Sequence, residues 1–165
     1  MPTTSAAPTR FLRRLARVKL RPATLEDVPV LIALEKHAAT AAHWSAEQYQ
    51  SIFSPSRISR IAQVIEDRDA IQGFLVARGV GPEWELENIA IAGPARRRGL
   101  GTMLLGEFLN AARSRGATAV FLEVRESNSP ARRLYEKLAF AESGRRAAYY
   151  HNPEEAAITY RLDFS

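Results

Sequence analysis

The segment from Arg96 to Gly101 constrains the fold most, because it joins a strand pattern to a helix pattern through two glycines. It reads Arg-Arg-Arg-Gly-Leu-Gly, follows the apolar run Ile89-Ala90-Ile91 and precedes a helical periodicity over residues 100–114. A strand, a glycine turn and a helix start bring unpaired backbone N–H groups and a positive helix end to one point. Such a point suits phosphate oxygens, although the same pattern also fits an ordinary tight turn. Neither the glycine signature of dinucleotide folds nor that of nucleotide-triphosphate loops is present.

The other periodicities predict a single α/β domain over residues 17–165 with helices on the faces of a sheet. Capping boxes indicate helix starts at Thr24, with Asp27, and at Ser45, with Gln48. Gly116 should end the helix over residues 100–114, and Ser129 should cap a helix that begins at Pro130. Strands are predicted over residues 18–21, 58–65, 71–77, 85–91, 119–124, 145–150 and 157–162.

Composition excludes several classes of chemistry. The chain has no cysteine, which rules out a disulfide, a thiolate metal site and an acyl-cysteine intermediate. No apolar stretch reaches the roughly 18 residues of a membrane helix, so we expect no membrane span and no membrane partner. The cysteine-free composition fits a cytoplasmic protein. The three histidines, His37, His43 and His151, are far apart and show no metal-ligand spacing, so no metal is expected.

The net charge of +5 has a local origin. Six of the 23 basic residues precede the first acid, Glu26, so the rest of the chain is nearly neutral. We therefore predict that residues 1–16 form a basic, flexible extension. An organellar transit peptide is the alternative interpretation. Weak contact of this arm with ribosomal RNA is a further possibility that its charge allows.

Three polar residues downstream are candidates for chemistry. Glu123 interrupts the apolar strand over residues 119–124, where a run buried on both faces would raise its pKa toward that of a useful base. It could equally reach solvent at a strand end or pair with Arg125. Tyr135 shares a helical face with apolar residues and reads either as a core aromatic or as a proton donor. Asn128 fits a turn or cap.

Taken together, these segments resemble a known family. The stretches Leu122-Glu123-Val124-Arg125-Glu126-Ser127-Asn128 and Leu134-Tyr135-Glu136-Lys137-Leu138-Ala139-Phe140, with the loop Arg96 to Gly101, are similar to the GCN5-related N-acetyltransferases (GNAT). With Asn88-Ile89-Ala90-Ile91, they most resemble the bacterial ribosomal-protein-alanine N-acetyltransferases of the RimI type. The resemblance covers about residues 17–165 and implies a mixed, mostly antiparallel central sheet.

The resemblance implies roles for individual residues, with acetyl-CoA as the cosubstrate. Glu123 matches the family's proton acceptor and Tyr135 its proton donor. Asn128 would contact the cofactor near its reactive end. The backbone of Ile89, Ala90 and Ile91 would pair with the pantetheine arm. The pyrophosphate would be held by a loop that comprises Arg96, Arg97, Arg98, Gly99, Leu100, Gly101 and Thr102.

The acceptor implied by the resemblance is the N-terminal alanine of a small-subunit ribosomal protein. Other protein N-termini, a lysine or a small amine are alternatives, as is a non-catalytic module that binds acyl-CoA or RNA. Two departures from the family pattern stand out. Ala139 occupies a position that is usually glycine, and His43-Trp44-Ser45 resembles the acceptor-side loop only loosely.

Overall fold

The computed structural model describes residues 9–10, 17–38 and 42–165. These form a sheet of seven strands: β1 Val18–Pro22, β2 Arg60–Asp67, β3 Ala70–Val80, β4 Glu83–Ile91, β5 Ala119–Arg125, β6 Ala141–Tyr150 and β7 Glu155–Asp163. Their order in the sheet is β1-β2-β3-β4-β5-β7-β6, in which β4 and β5 are parallel and the other neighbours antiparallel. The predicted mixed, mostly antiparallel sheet is confirmed.

Helices cover both faces of this sheet. Helix α1 is Val28–Lys36, α2 is Ala46–Ser51, α3 is Leu100–Ser114 and α4 is Ser129–Lys137. One buried apolar cluster joins α1 and α2 to the sheet, and a larger one joins α3 and α4 to the opposite face. None of the helices in the described part of the chain is long and apolar enough to cross a membrane.

Local signals explain where the helices begin and end. Both predicted capping boxes form, at Thr24 with Asp27 and at Ser45 with Gln48. The first of them opens a 3₁₀ turn that runs into α1. Gly116 follows α3 at φ +80°, a conformation that glycine adopts without strain. The predicted bounds of α3 are confirmed.

Some predicted boundaries are wrong. The strands β2 and β3 extend to a two-residue turn, Arg68-Asp69, whereas the predicted strands end at residue 65 and resume at residue 71. Both turn residues have positive φ, which matches the right-handed twist of a tight hairpin. Strand pairing with β7 likewise extends β6 back to Ala141.

The helix α4 is capped one residue earlier than predicted. Asn128 is the N-cap and its side-chain oxygen accepts from Ala131 N–H at 3.2 Å, so Ser129 is already helical. The basic extension predicted for residues 1–16 lies, apart from residues 9 and 10, outside the described residues, and with it the predicted contact with RNA.

Candidate active site

The candidate site is a cleft that opens where two parallel strands separate. Strands β4 and β5 pair only from Glu83 to Glu85 with Ala119 to Phe121, and beyond these residues they diverge. The gap is a cleft of about 1160 Å³. Its walls include all the predicted site residues except Arg98: Ile89, Ala90, Ile91, Arg96, Arg97, Gly99, Leu100, Gly101, Thr102, Glu123, Asn128 and Tyr135.

A bulge in β4 sets the direction of its residues along the cleft. The register with β3 shifts between Leu86 and Asn88, which leaves Glu87 as an extra residue. Further on, Ala92 N–H donates to the carbonyl of Gln72 in β3 at 2.7 Å. Because backbone groups alternate along a strand, the polar groups of Ile89 and Ile91 point to the other edge, which β5 has left open.

This edge suits the predicted pairing with an extended ligand, but only in part. Ile89 and Ile91 present backbone N–H and C=O groups to the cleft, as a pantetheine arm would require. Ala90 directs its backbone toward β3 instead, and its side chain is buried against the α1 and α2 cluster. Ala90 therefore contributes to the wall of the cleft and not to the pairing edge.

The loop between β4 and α3 presents backbone N–H groups to the cleft. The helical ladder of α3 begins with Met103 N–H to Gly99 C=O at 3.1 Å, so the N–H groups of Leu100, Gly101 and Thr102 precede it. Gly99 has φ +81°, which favours glycine, and turns the chain into the helix. A Cβ on Gly101 would lie 3.2 Å from Leu134 of α4, so this glycine also allows the two helices to approach.

The three consecutive arginines of this loop point in different directions. Arg97 lines the cleft and has a φ of +61°. Arg96 also lines the cleft, and its Nε donates to the carbonyl of Ile91 at 3.1 Å, which holds the loop against the end of β4. Arg98 does not line the cleft and forms an ion pair with Asp67 at the end of β2. Its side chain anchors the loop, which differs from the predicted direct contact with a ligand.

A further arginine joins this region from α4. Arg133 is exposed and lines the cleft, beside Leu134, which contacts the start of α3. We call Arg96, Arg97, Arg133 and the N–H groups of residues 100–102 the arginine end of the cleft. Its positive charge and free donors fit a pyrophosphate.

Glu123 lies on the β5 wall, and its surroundings differ from those predicted. Val120, Leu122 and Val124 are buried beneath α3, but the face that carries Glu123 is only half-buried, so the expected burial on both faces is wrong. The carboxylate is 20% exposed and pairs with Arg146 of β6 at 3.2 Å, rather than with Arg125. It is therefore reachable from the cleft, as a proton acceptor must be.

Two tyrosines of β6 adjoin this carboxylate. The hydroxyl of Tyr149 lies against Glu123, which raises the pKa of that phenol. The neighbouring ring of Tyr150 packs edge-on against Tyr149 with centroids 5.0 Å apart. Burial, and then the charge of Glu123, raises the pKa of Tyr150 to about 12. Both phenols are neutral at physiological pH. Tyr149 directs its single proton to Glu123, whereas Tyr150 can donate a hydrogen bond into the cleft.

Tyr135 is a core aromatic residue that also reaches the cleft. It is 4% exposed and packs against Phe140 and Tyr160, with each ring centroid at 5.9 Å, so it is a core aromatic. It also lines the cleft. Burial, followed by the charge of Tyr150, raises the pKa of its phenol. The proton therefore stays on the oxygen at neutral pH.

Two carboxylates of β4, each paired with an arginine from β2 or β3, complete this side of the cleft. Glu85 and Glu87 line it, and Arg78 pairs with Glu85 at 2.7 Å, while Arg60 pairs with Glu87 at 2.5 Å. Burial raises the pKa of Glu87, against the lowering effect of both arginines. We call Glu85, Glu87, Glu123, Tyr149 and Tyr150 the tyrosine–carboxylate end of the cleft.

Sequence reasoning missed several residues of this site. Arg133 was detectable, since it stands one helical turn after Pro130 on the wall that Pro130 and Leu134 share. Tyr149 and Tyr150 reach Glu123 only because β6 lies beyond β7 in the sheet, which no local pattern reveals. Within the described ranges, no group of three or more His, Asp or Glu side chains is arranged to hold a metal ion.

The cleft between splayed parallel strands and its N–H-rich loop match a known family. The sequence model of the acetyltransferase (GNAT) family matches residues 30–140. The chain belongs to this family and is an acetyl-CoA-dependent N-acetyltransferase.

Individual relatives support the assignment. The chain is 35% identical to the [ribosomal protein bS18]-alanine N-acetyltransferase of Salmonella typhimurium over 141 residues, covering 84% of this chain and 93% of the relative. An N-alpha-acetyltransferase from Sulfolobus acidocaldarius is 29% identical, with coverage of 91% and 95%. The crystal structure of the ribosomal-protein-S18-alanine N-acetyltransferase from Escherichia coli superimposes with a TM-score of 0.78 at 29% identity, covering 90% of this chain and 94% of that one.

Proposed function

We propose that this enzyme transfers the acetyl group of acetyl-CoA to the N-terminal alanine of a small-subunit ribosomal protein, by direct attack of the amine, in the cytoplasm. The observation that carries the proposal is the pairing of an anion-binding loop with a reachable carboxylate, Glu123, across one cleft. The Salmonella relative, named for acetylation of an alanine of bS18, supports the acceptor.

Acetyl-CoA would bind along the open edge of β4. The arginine end would hold its pyrophosphate through the N–H groups of residues 100–102 and the side chains of Arg97 and Arg133. Ile89 and Ile91 would hydrogen-bond the pantetheine amides. The oxygen of Asn128 caps α4, and its NH₂ group can donate to the cofactor. Bound in this way, acetyl-CoA supplies an activated acyl group.

The acceptor amine must lose a proton before it can attack. The reference pKa of an α-amine is about 7.7–8.0, against about 10.4 for lysine, so deprotonating lysine costs roughly 3.5 kcal/mol more. A partly exposed carboxylate such as Glu123 can take a proton from an α-amine directly or through one water. The amine then attacks the acetyl carbonyl, and a backbone N–H of the β4 edge stabilises the oxyanion.

The departing thiolate is the second charge that this site must stabilise. Tyr135 retains its proton because burial raises its pKa, so it can donate a hydrogen bond to the sulfur as the C–S bond breaks. Transfer of that proton gives the thiol of CoA. The second proton that the nitrogen loses as the amide forms replaces it on the phenolate, and Glu123 releases its own proton to solvent. This step keeps charge from accumulating in the buried part of the cleft.

A second candidate acceptor is a protein N-terminus that begins with another residue. It is favoured by the similarity to the Sulfolobus enzyme, whose name specifies an N-alpha-acetyltransferase without an acceptor residue. Both candidate acceptors would use the same site. They differ only in which first residue the tyrosine–carboxylate end would accept.

Transfer to short peptides separates these candidates. The panel carries alanine, serine, glycine, methionine or leucine at the first position, each with a free and a blocked N-terminus. The proposal predicts transfer to the free alanine peptide with the highest kcat/KM and none to the blocked peptides. Equal transfer to all free N-termini would favour the second candidate. Transfer to blocked peptides through lysine would overturn both.

A further inference from the structure

A polar network lies buried between α1, α2 and β4, next to the cleft. Glu35 is 2% exposed and Asn88 is 5% exposed. The carboxylate of Glu35 accepts three hydrogen bonds, from Trp44 N–H at 2.9 Å, from the Tyr49 hydroxyl at 2.5 Å and from Asn88 Nδ2 at 3.2 Å. No cation pairs with Glu35 in the described part of the chain, so these neutral donors alone stabilise it.

The chemistry of this network fixes the orientation of the Asn88 amide. A carboxylate only accepts, so the Asn88 group that faces Glu35 must be the NH₂. Tyr49 donates its single proton to Glu35, so it too must accept from Asn88, whose Nδ2 lies 3.2 Å from the Tyr49 oxygen. Both Nδ2 protons are therefore committed, and a flipped amide would place an oxygen against two acceptors.

The amide oxygen of Asn88 is left as a free acceptor. Among the described residues none donates to Oδ1, although Asn88 is almost fully buried. Asn88 lines the cleft, and its Oδ1 is not enclosed by protein. A buried polar atom generally has a partner, so a fixed acceptor that opens only to the cleft suggests a donor on a bound molecule.

The register of the sheet places Asn88 opposite the proposed base. Glu123 lies two residues beyond Phe121, the last residue of β5 that pairs with β4. Asn88 lies three residues beyond Glu85, but one of the three is the bulged Glu87, so both side chains stand at the same level. Both also lie on the face of the sheet that carries α1, because Asn88 contacts Glu35 while Glu123 faces away from α3.

We propose that Asn88 binds the acceptor, with its Oδ1 accepting a hydrogen bond from the N-terminal amine, and that Glu35 and Tyr49 are positioning residues that hold the amide in this orientation. The inference rests on the proposed function and names a contact within it. An amide oxygen binds an N–H without removing its proton, whereas Glu123 can remove one. After Glu123 has taken a proton, an N–H held by Asn88 would direct the nitrogen lone pair away from β4.

The test compares two ligands that differ only in the amine. One is an alanine-initiated peptide and the other carries a propionyl group in place of the alanine, so that it lacks the amine. Binding is measured by calorimetry with CoA in place of acetyl-CoA, so that no transfer occurs. Asn88→Ala should weaken binding of the alanine peptide about tenfold and binding of the propionyl peptide less than twofold. Asn110→Ala, the same change at an exposed position of α3, is the matched control and should alter neither.

The positioning role has its own variant. Tyr49→Phe removes the hydroxyl that accepts from Asn88 and donates to Glu35, but it leaves the hydrogen bond from Asn88 to Glu35. Binding of the alanine peptide should therefore weaken by about threefold. If Asn88→Ala weakens the binding of both peptides equally, or of neither, Asn88 has only a structural role and the proposal is overturned. Transfer of acetyl by the wild-type enzyme is measured beside it. If the wild-type enzyme acetylates the alanine peptide but Asn88→Ala loses equal affinity for both peptides, only the role of Asn88 is contradicted. If the wild-type enzyme neither acetylates nor binds the alanine peptide, both proposals are overturned.

Discussion

The two ends of the cleft are built by opposite means. The arginine end draws most of its groups from one continuous segment, residues 96–102, and uses the backbone N–H groups of a helix start. The tyrosine–carboxylate end takes side chains from β4, β5 and β6, which are distant in sequence and meet only in the folded sheet. A contiguous backbone site can bind the constant part of a cofactor, whereas a composite side-chain site can be varied residue by residue to select an acceptor.

Charge follows the same division. Arg97 and Arg133 line the arginine end, while each carboxylate of the other end is paired with an arginine from another strand of the sheet. An anionic cofactor is therefore attracted to one end by net charge. An acceptor at the other end meets hydrogen-bonding groups whose charges are already balanced, so geometry decides what binds there.

The largest expected effect lies at the tyrosine–carboxylate end. Glu123→Gln removes the proton acceptor but keeps the shape of the side chain, so kcat should fall by about 100-fold or more. The dissociation constant of acetyl-CoA should change less than twofold, because the arginine end is untouched. Steady-state kinetics and calorimetry measure the two quantities. Glu126→Gln, on a partly exposed glutamate three residues further on, is the control and should leave both nearly unchanged.

Tyr135→Phe tests the buried junction between the two ends. The phenyl ring preserves packing against Phe140 and Tyr160, so the fold should be retained while kcat falls by roughly 10- to 100-fold. The loss should be smaller with acyl donors whose thiol leaving group has a lower pKa, because such a thiolate needs less help from a proton donor. An equal loss with every donor would contradict the assignment of Tyr135.

Arg97→Ala tests the arginine end. The KM for acetyl-CoA should rise by about tenfold and the KM for the peptide should stay within twofold, because one charged hydrogen bond to the cofactor is lost. Arg133→Ala should act in the same direction. Arg57→Ala is the control, because Arg57 is exposed and lies outside the cleft. It removes the same charge and should leave both KM values unchanged. A rise in the peptide KM instead would mean that the two ends are assigned the wrong way round.

The smallest effect concerns stability alone. Ala139 follows α4 with φ +70°, a conformation that is costly for a residue with a Cβ. Ala139→Gly should raise the free energy of unfolding by about 1 kcal/mol, measured by urea denaturation. Neither end of the cleft is involved, so kinetic constants should not change. A decrease in stability would show that the backbone strain at this position is already relieved.

The contrast between the ends also explains how far the sequence alone could reach. Helix α3 and the loop before it were predictable because glycines, caps and periodicity are local signals. The paired Arg68-Asp69 turn was not, since positive φ at two non-glycine residues has no strong local signature. Only residues 145–150 of strand β6 were predicted, because its first residues, from Ala141, are in the strand through pairing with β7.

Among the site residues, the same distinction holds. Arg98 carries the charge expected of a ligand contact, yet its side chain turns to Asp67, because β2 ends beside the loop. Glu123 was identifiable as a polar residue in an apolar strand, but its partner, Arg146, comes from a strand two positions away in the sheet. The orientation of Asn88 depends on the bulge at Glu87 and on the buried carboxylate of Glu35. Neither feature can be predicted from the sequence around Asn88.

The most direct test of the account uses one peptide that contains both kinds of amine. It begins with a free alanine and carries an internal lysine, and it is incubated with the enzyme and acetyl-CoA. Tandem mass spectrometry then locates the acetyl group. We expect a single acetyl group, on the α-amine of the alanine. An acetyl group on the lysine with the α-amine unmodified would contradict it.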